Sequence, residues 1–187
     1  MRPAVVEAYA LLRDTFRSGG KALVCGNGGS AADAEHWAGE MLKGFEGSRA
    51  VTPAVRAELG AELADRLQGA LPMIPLTGFV SLASAYANDC DSVYTFAQLV
   101  LGLGQRGDLL IALSTSGNSE NIILAARVAR KRGLRILGLT GRDGGLLKPL
   151  CDACLRVPED KTYRVQELHL PLYHTLALML EDEFFTR

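Results

Sequence analysis

The chain has 187 residues, of which 48% are hydrophobic, and its formal net charge at pH 7 is -1. This length and composition predict a single domain over residues 1–187 with a sizeable core, and they argue against disorder. Acidic and basic residues are mixed throughout, so the chain lacks the strong field that would attract nucleic acid or an anionic membrane surface.

The first predicted elements lead into a glycine-rich turn. Apolar residues predict a helix over residues 3–18 and a strand over residues 22–25. Gly26-Asn27-Gly28-Gly29 then precedes an Ala-rich helix over residues 30–43, with Ser30 near its N-cap. Glycines allow a close approach to a ligand, and N–H groups at a helix start suit phosphate or sugar oxygens. The alternative is a plain tight connection, because the dinucleotide pattern G-x-G-x-x-G is incomplete.

A histidine and a glutamate stand four residues apart on this predicted helix. The spacing puts the His36 imidazole and the Glu40 carboxylate on one helix face, where they could share a metal ion or a proton. The alternative is a surface hydrogen bond, which is the commoner role for such a pair. Only the rest of the chain can decide between these two roles.

The stretch 46–75 differs in character from the segments before it. It contains Pro53, Pro72 and Pro75 and a charged helical piece at about residues 56–67, so we expect an excursion from the core. Beyond it, the pattern predicts a short strand over residues 73–77, a helix over 79–87 that ends at Asn88-Asp89, and a helix over 93–103.

A second polar loop follows a strand in the same way as the first. The apolar run 108–113 predicts a buried strand, and Ser114-Thr115-Ser116-Gly117-Asn118-Ser119 leads from it into an amphipathic helix over residues 120–132. Four hydroxyls at a helix start suit a phosphate without a lysine. A capped turn would use one hydroxyl rather than four, so we favour phosphate binding.

The remaining elements continue the alternation of strand and helix. Strands are predicted over residues 135–139 and 153–157, with a turn and a short helix between them, and a long helix over 163–185 closes the chain. Pro171 removes a backbone donor and should kink this helix or mark its effective start. The order predicts an α/β fold, a three-layer αβα sandwich around an open, mainly parallel five-stranded sheet, with both polar loops at the carboxyl ends of strands.

The four cysteines, Cys25, Cys90, Cys151 and Cys154, are expected to be reduced thiols, because the sequence shows no secretion signal. Cys151-Asp152-Ala153-Cys154 could serve redox chemistry or zinc binding, but it has no partner pair, so a structural role is favoured. No apolar run approaches the roughly 20 residues of a membrane span. We therefore expect a cytoplasmic protein without membrane or nucleic-acid partners.

Five motifs share their order and register with a known family. They are Gly26–Ala34 with His36 and Glu40, Asn88-Asp89, Leu113–Ser119, Gly138–Gly141, and Val165–His169 with His174. Over nearly the whole chain, the sequence resembles the sugar isomerase (SIS) family and, within it, the bacterial phosphoheptose isomerases. The resemblance implies a flavodoxin-like SIS fold and a homotetramer.

The resemblance also implies roles for individual residues. The implied zinc ligands are His36, Glu40, Gln166 and His174. The implied phosphate ligands are Ser114, Thr115, Ser116 and Ser119, and the implied sugar contacts are Asn27, Gly28, Gly29, Ser30, Glu40, Asn88, Asp89 and Gln166. Glu40 and His174 fit the acid and base roles. From the residues alone, His174 would be a satisfied histidine on an apolar helix face and Gln166 a helix cap.

The implied reaction is an aldose-ketose isomerisation that converts D-sedoheptulose 7-phosphate to D-glycero-D-manno-heptopyranose 7-phosphate. It proceeds through an enediol by acid/base catalysis with Zn2+. The alternatives are a non-catalytic SIS protein that senses a phosphosugar or acts in assembly, and an isomerase of another phosphosugar. A broken set of metal ligands would mark the non-catalytic alternative, and all four positions here carry coordinating side chains.

Two of the implied zinc ligands are too far apart to meet on one straight helix. Gln166 and His174 are eight residues apart, which corresponds to about 12 Å along a helix axis and about 80° around it. Either the helix begins or bends near Pro171, or the two side chains reach one metal ion from different chains. We therefore predict an active site completed across subunits if the helix is continuous.

Overall fold

The computed structural model describes residues 2–185. Its helices and strands in chain order are α1 Arg2–Arg17, β1 Ala22–Cys25, α2 Gly29–Leu42, α3 Pro53–Leu59, α4 Ala61–Ala64, β2 Met73–Pro75, α5 Val80–Asp89, α6 Thr95–Leu103, β3 Leu109–Leu113, α7 Glu120–Arg132, β4 Arg135–Thr140, β5 Ala153–Arg156 and α8 Thr162–Phe185. Within residues 2–185 no helix is both long and apolar enough to cross a membrane.

The five strands form one sheet in the order β2-β1-β3-β4-β5, and every neighbouring pair is parallel. β1 and β3 are buried along their whole length, as expected for central strands covered on both faces. In this strand order the topological switch lies between β1 and β3, where open α/β sheets bind ligands. Both predicted polar loops leave the sheet at this point.

Two apolar clusters cover the two faces of the sheet. On one face, α1, α2 and α8 supply Leu12, Trp37 and Tyr173 to the core. On the other face, α6 and α7 supply Val100 and Ile122. This arrangement confirms the predicted three-layer αβα sandwich.

The predicted N-cap of α2 is wrong by two residues. Gly28 occupies the cap position with φ 54, the helix begins at Gly29, and Ser30 lies buried in the first turn. A positive φ is easily adopted only by glycine, so the helix begins directly after Gly28. Ser30 therefore does not cap the helix.

The structure also differs from the sequence prediction in the segment 56–67, in β2 and at Pro171. The helical piece 56–67 is two short helices, because Gly60, with φ 80, interrupts it. The strand expected over 73–77 ends at Pro75, after which the chain turns. Pro171 lies inside α8, which already begins at Thr162, so it does not mark the start of the helix.

Candidate active site

A cavity of about 290 Å³ lies at the switch point between β1 and β3. It is lined by Asn27, Gly28, Gly29, Ser30, Leu113, Ser114, Thr115, Ser119, Thr162 and Gln166. The lining combines both polar loops with the N-terminal end of α8. Most of the side chains predicted to bind a sugar phosphate therefore meet in one cavity.

Glycine is needed at positions 26 and 29 because a side chain there would clash with neighbouring atoms. A Cβ on Gly29 would lie 2.6 Å from Nε2 of Gln166, and a Cβ on Gly26 would lie 2.4 Å from the carbonyl oxygen of Ser30. Neither α2 nor α7 has a side-chain cap at its start. The N–H groups of these helix starts favour an anion in the cavity.

The phosphate-loop hydroxyls do not all face the cavity. Ser114 Oγ donates a hydrogen bond of 3.1 Å to Ser119 Oγ, and both residues line the cavity together with Thr115. Ser116 is exposed, and its Oγ accepts a hydrogen bond from the backbone N–H of Asn118 at 3.1 Å. Within the described chain, three of the four predicted phosphate ligands therefore converge.

Asn88 and Asp89 lie away from this cavity, at the C-terminal end of α5. They line a separate groove with Val80, Ser81, Ser84 and Ala85. Asn88 Nδ2 donates to Asp89 Oδ1 at 2.8 Å, and both residues are exposed. Their role in sugar binding stays a prediction.

The predicted metal-binding side chains on α2 and α8 form a second cluster. His36 Nε2 lies 3.2 Å from Glu40 Oε1, as their spacing on α2 predicts. The ring of His174 is 5.2 Å from the ring of His36, and its Nε2 is buried without a hydrogen-bond partner. Sequence patterning alone would have made His174 a satisfied histidine, and the structure contradicts that interpretation.

This second cluster offers part of a zinc site. Two ligand atoms bound to one tetrahedral Zn2+ at about 2.0 to 2.2 Å lie roughly 3.4 Å apart, close to the separation between His36 and Glu40. Nitrogen and carboxylate oxygen are also ligand types that zinc prefers. Within residues 2–185, however, no three His, Cys, Asp or Glu side chains converge closely enough to form a metal site. The pair fits zinc, and a complete site needs further ligands.

Gln166 lies at the cavity rather than in the second cluster. Its side chain packs against Gly29 at the cavity, whereas His174 lies eight residues further along the same continuous helix. That separation corresponds to about 12 Å along the helix axis. A single chain therefore leaves Gln166 apart from the other three predicted ligands.

Residues that the sequence analysis missed surround the second cluster. Tyr173 is fully buried, its hydroxyl is 2.9 Å from His36 Nδ1, and it donates to Asp33 Oδ1 at 3.4 Å. Burial and the nearby Asp33 carboxylate raise the pKa of Tyr173, and burial raises the pKa of Asp33. The positions 33, 36, 37 and 40 share one face of α2, and this periodicity could have revealed Asp33 and Trp37.

A buried ion pair supports the C-terminal end of α2, and the sequence analysis missed it as well. Arg49 Nε donates to Glu181 Oε1 at 2.7 Å, and its other nitrogens donate to the carbonyl oxygens of Met41 and Glu40. The Glu181 carboxylate also accepts from the backbone N–H groups of residues 45–47. We call Arg49, Glu181 and these backbone groups the clamp.

Comparisons with known proteins identify the family. A model of the SIS domain matches residues 2–141. A phosphoheptose isomerase from Rhodospirillum rubrum is 39% identical over 180 residues, covering 96% of this chain and 86% of that protein. One from Helicobacter hepaticus is 38% identical, and the match covers 98% of this chain and 84% of that protein.

The solved structure of a phosphoheptose isomerase from Francisella tularensis superposes with a TM-score of 0.82 at 33% identity, covering 96% of this chain and 86% of that one. The chain therefore belongs to the SIS-domain family and, within it, to the phosphoheptose isomerases, a family of isomerase enzymes.

Proposed function

We propose that this isomerase converts D-sedoheptulose 7-phosphate to D-glycero-D-manno-heptopyranose 7-phosphate. The observation that carries the proposal is the convergence of Gly28, Gly29, Ser114, Ser119 and Gln166 on one cavity at the switch point of the sheet. Hydroxyls and helix starts suit the phosphate end of such a substrate. Near-full-length similarity to phosphoheptose isomerases supports the choice of sugar.

The chemistry requires a proton to move between neighbouring carbons through an enediol. One group must remove a proton from the carbon next to the carbonyl, and another must exchange a proton with the oxygens. We assign these roles to Glu40 and His174. The Glu40 carboxylate is held beside His36, and the unpartnered His174 Nε2 is free to accept or donate a proton.

We propose His36, Glu40, Gln166 and His174 as the residues that hold Zn2+. When bound, the ion would polarise substrate oxygens as a Lewis acid. Because Gln166 lies apart from the other three in one chain, we infer that ligands from different chains complete the site. Glu40 and His174 also do not line the phosphate cavity of their own chain, which supports the same assembly.

The assembly that we propose is a cytoplasmic homotetramer. Large apolar side chains are left exposed on several helices, among them Val6 on α1, Leu42 on α2, Val80 on α5 and Leu178 on α8. Contacts between chains would remove these side chains from water, which favours assembly. The four cysteines are free thiols, in agreement with a reducing compartment.

The test combines turnover, binding and metal content. The purified protein is incubated with sedoheptulose 7-phosphate, and aldose formation is followed by NMR. Glu40→Gln and His174→Asn should each lower the rate about 100-fold to 10,000-fold, because each removes a positioned acid or base. Phosphate affinity should stay unchanged in both variants, and His174→Asn should lower the zinc content.

Four outcomes would contradict different parts of the proposal. Wild-type turnover in both variants would remove the catalytic assignment. Turnover only on another phosphorylated ketose would change the substrate and keep the isomerase. A parent protein that binds phosphate but isomerises no phosphorylated ketose would favour the non-catalytic sensor. Native mass spectrometry of a fully zinc-loaded monomer would refute ligand sharing between chains.

A further inference from the structure

The hydroxyl of Tyr173 lies between a candidate zinc ligand and the half-buried carboxylate of Asp33. It is 2.9 Å from His36 Nδ1 and 3.4 Å from Asp33 Oδ1. The ring is fully buried and stacks on Trp37 with an interplanar angle of 20° and a centroid distance of 5.5 Å. The hydroxyl is therefore held in place by packing as well as by hydrogen bonds.

Counting protons gives the direction of these two hydrogen bonds. A tyrosine hydroxyl has one proton to donate, and a carboxylate can only accept. Asp33 Oδ2 is already buried without a partner. If the Tyr173 proton went to His36 instead, the Asp33 carboxylate would lose its donor, which is costly for a charged group shielded from water. The Tyr173 hydroxyl therefore donates to Asp33, and Nδ1–H of His36 donates to the Tyr173 oxygen.

This direction determines which nitrogen of His36 is available to a metal ion. With its proton on Nδ1, the imidazole presents the lone pair of Nε2 to Glu40 Oε1, 3.2 Å away. A lone pair that faces a carboxylate oxygen repels it unless a cation lies between them. We propose that Tyr173 and Asp33 are positioning residues that orient His36 to bind a divalent cation through Nε2. The inference rests on the proposed function, because it concerns a proposed zinc ligand.

The Tyr173 ring also contacts the second candidate histidine. Its centroid is 4.9 Å from that of His174 and 5.6 Å from that of His36, and both contacts are edge-to-face. The hydroxyl thus orients one imidazole while the ring packs against both. Replacing Tyr173 by phenylalanine removes the hydroxyl and keeps the ring, so it isolates the hydrogen-bond contribution.

The test measures zinc binding by the full chain in competition with a chromophoric chelator. Tyr173→Phe should weaken zinc binding by about 10-fold to 100-fold, the usual cost of losing an outer partner of a metal-bound histidine. Asp33→Asn keeps an acceptor but removes the charge, so its loss should be smaller. Tyr9→Phe is the matched control, since the Tyr9 hydroxyl donates a hydrogen bond of 2.8 Å to Glu183 and lies away from the candidate site. It should leave zinc affinity unchanged.

A second readout identifies the coordinating atom directly. In zinc-loaded protein labelled with 15N-histidine, long-range 1H–15N spectra should show His36 bound through Nε2 with its proton on Nδ1. Coordination through Nδ1, wild-type affinity in Tyr173→Phe, or an equal loss in Tyr9→Phe would each overturn the inference. A parent protein that binds no zinc would overturn it too, while isomerase activity, measured separately, would still decide the proposed function.

Discussion

The clamp joins the segment after α2 to α8, and the second cluster joins α2 itself to α8, yet the two differ in how completely their polar atoms are paired. The Arg49 side chain is 0% exposed, and it bonds to Glu181 and to two backbone carbonyl oxygens. In the second cluster, His174 Nε2 and Asp33 Oδ2 are buried without partners, and the His36 side chain is 45% exposed. Buried polar groups are normally satisfied, so the clamp has the character of a structural element and the second cluster that of a ligand site.

The largest expected effect comes from breaking the clamp. Arg49→Met should lower the free energy of unfolding by about 3 to 5 kcal/mol, because it leaves the Glu181 charge buried without its partner. Urea unfolding followed by circular dichroism measures this loss. The matched control is Arg56→Met, which removes an exposed pair with Asp65 and should cost about 0 to 1 kcal/mol. Equal losses of stability in the two variants would mean that the buried clamp contributes no more than an exposed ion pair.

The next largest effect should be a pH dependence of stability that comes from Glu181 in the clamp. Burial alone would raise the pKa of Glu181, but hydrogen bonds from the N–H groups of residues 45–47 and from Arg49 outweigh it and lower the pKa to about 2. A lowered folded-state pKa gives stability that is present above the ordinary glutamate pKa and is lost as the pH falls towards 2. The contribution is about 3 kcal/mol.

Glu181→Gln should therefore flatten the loss of stability between about pH 5 and pH 2, while lowering stability at pH 7. Unfolding curves at a series of pH values measure this. Asp65→Asn is the control, because the pKa of Asp65 is also lowered by an arginine but the pair is exposed. If stability fell as steeply between about pH 5 and pH 2 in Glu181→Gln as in the parent, this acid sensitivity would not come from Glu181.

Local sequence patterns predicted most of the fold and brought the two polar loops to the cavity that we propose for phosphate. Continuous apolar runs gave the strand 22–25 without error, and the two polar loops occur where parallel strands end. Patterns of this kind depend on neighbours in sequence. The clamp could not be predicted in this way, because Arg49 and Glu181 are 132 positions apart and meet only after α8 packs on α2. For the same reason, the link between Asp33 and Tyr173 required the structure.

The phosphate loop should give an effect of intermediate size. Ser119→Ala should weaken binding of inorganic phosphate by about 1.5 to 3 kcal/mol, because it removes one charge-assisted hydrogen bond in the cavity. Ser116→Ala is the matched control, since Ser116 is exposed and bonds locally to Asn118. Calorimetric titration measures both. If Ser116→Ala costs as much as Ser119→Ala, the loop reshapes on binding and brings all four predicted hydroxyls to the phosphate.

The smallest effect on stability should come from replacing Lys43. Comparing Lys43 with Arg49 is the sharpest test of the distinction between the clamp and the second cluster. Each is a cation beside a glutamate, but the Lys43 side chain is 61% exposed and its Nζ lies 3.4 Å from Glu40 Oε2. An exposed pair of this kind contributes about 0 to 1 kcal/mol, so Lys43→Ala should leave the free energy of unfolding nearly unchanged. Zinc binding, by contrast, should become stronger in Lys43→Ala. A neighbouring positive charge opposes a divalent cation, so its removal should tighten binding by up to about fivefold.

The dependence on salt concentration checks the expected gain in zinc affinity of Lys43→Ala. Because the Lys43 ammonium is solvent-exposed, its repulsion should be screened, and the gain in zinc affinity should shrink as the NaCl concentration rises from about 0.01 M to 1 M. Lys131→Ala, on an exposed position of α7, removes the same charge away from the candidate site and should change neither quantity. Weaker zinc binding in Lys43→Ala would mean that the lysine holds Glu40 in its ligand geometry. The second cluster would then depend on internal pairing in the same way as the clamp.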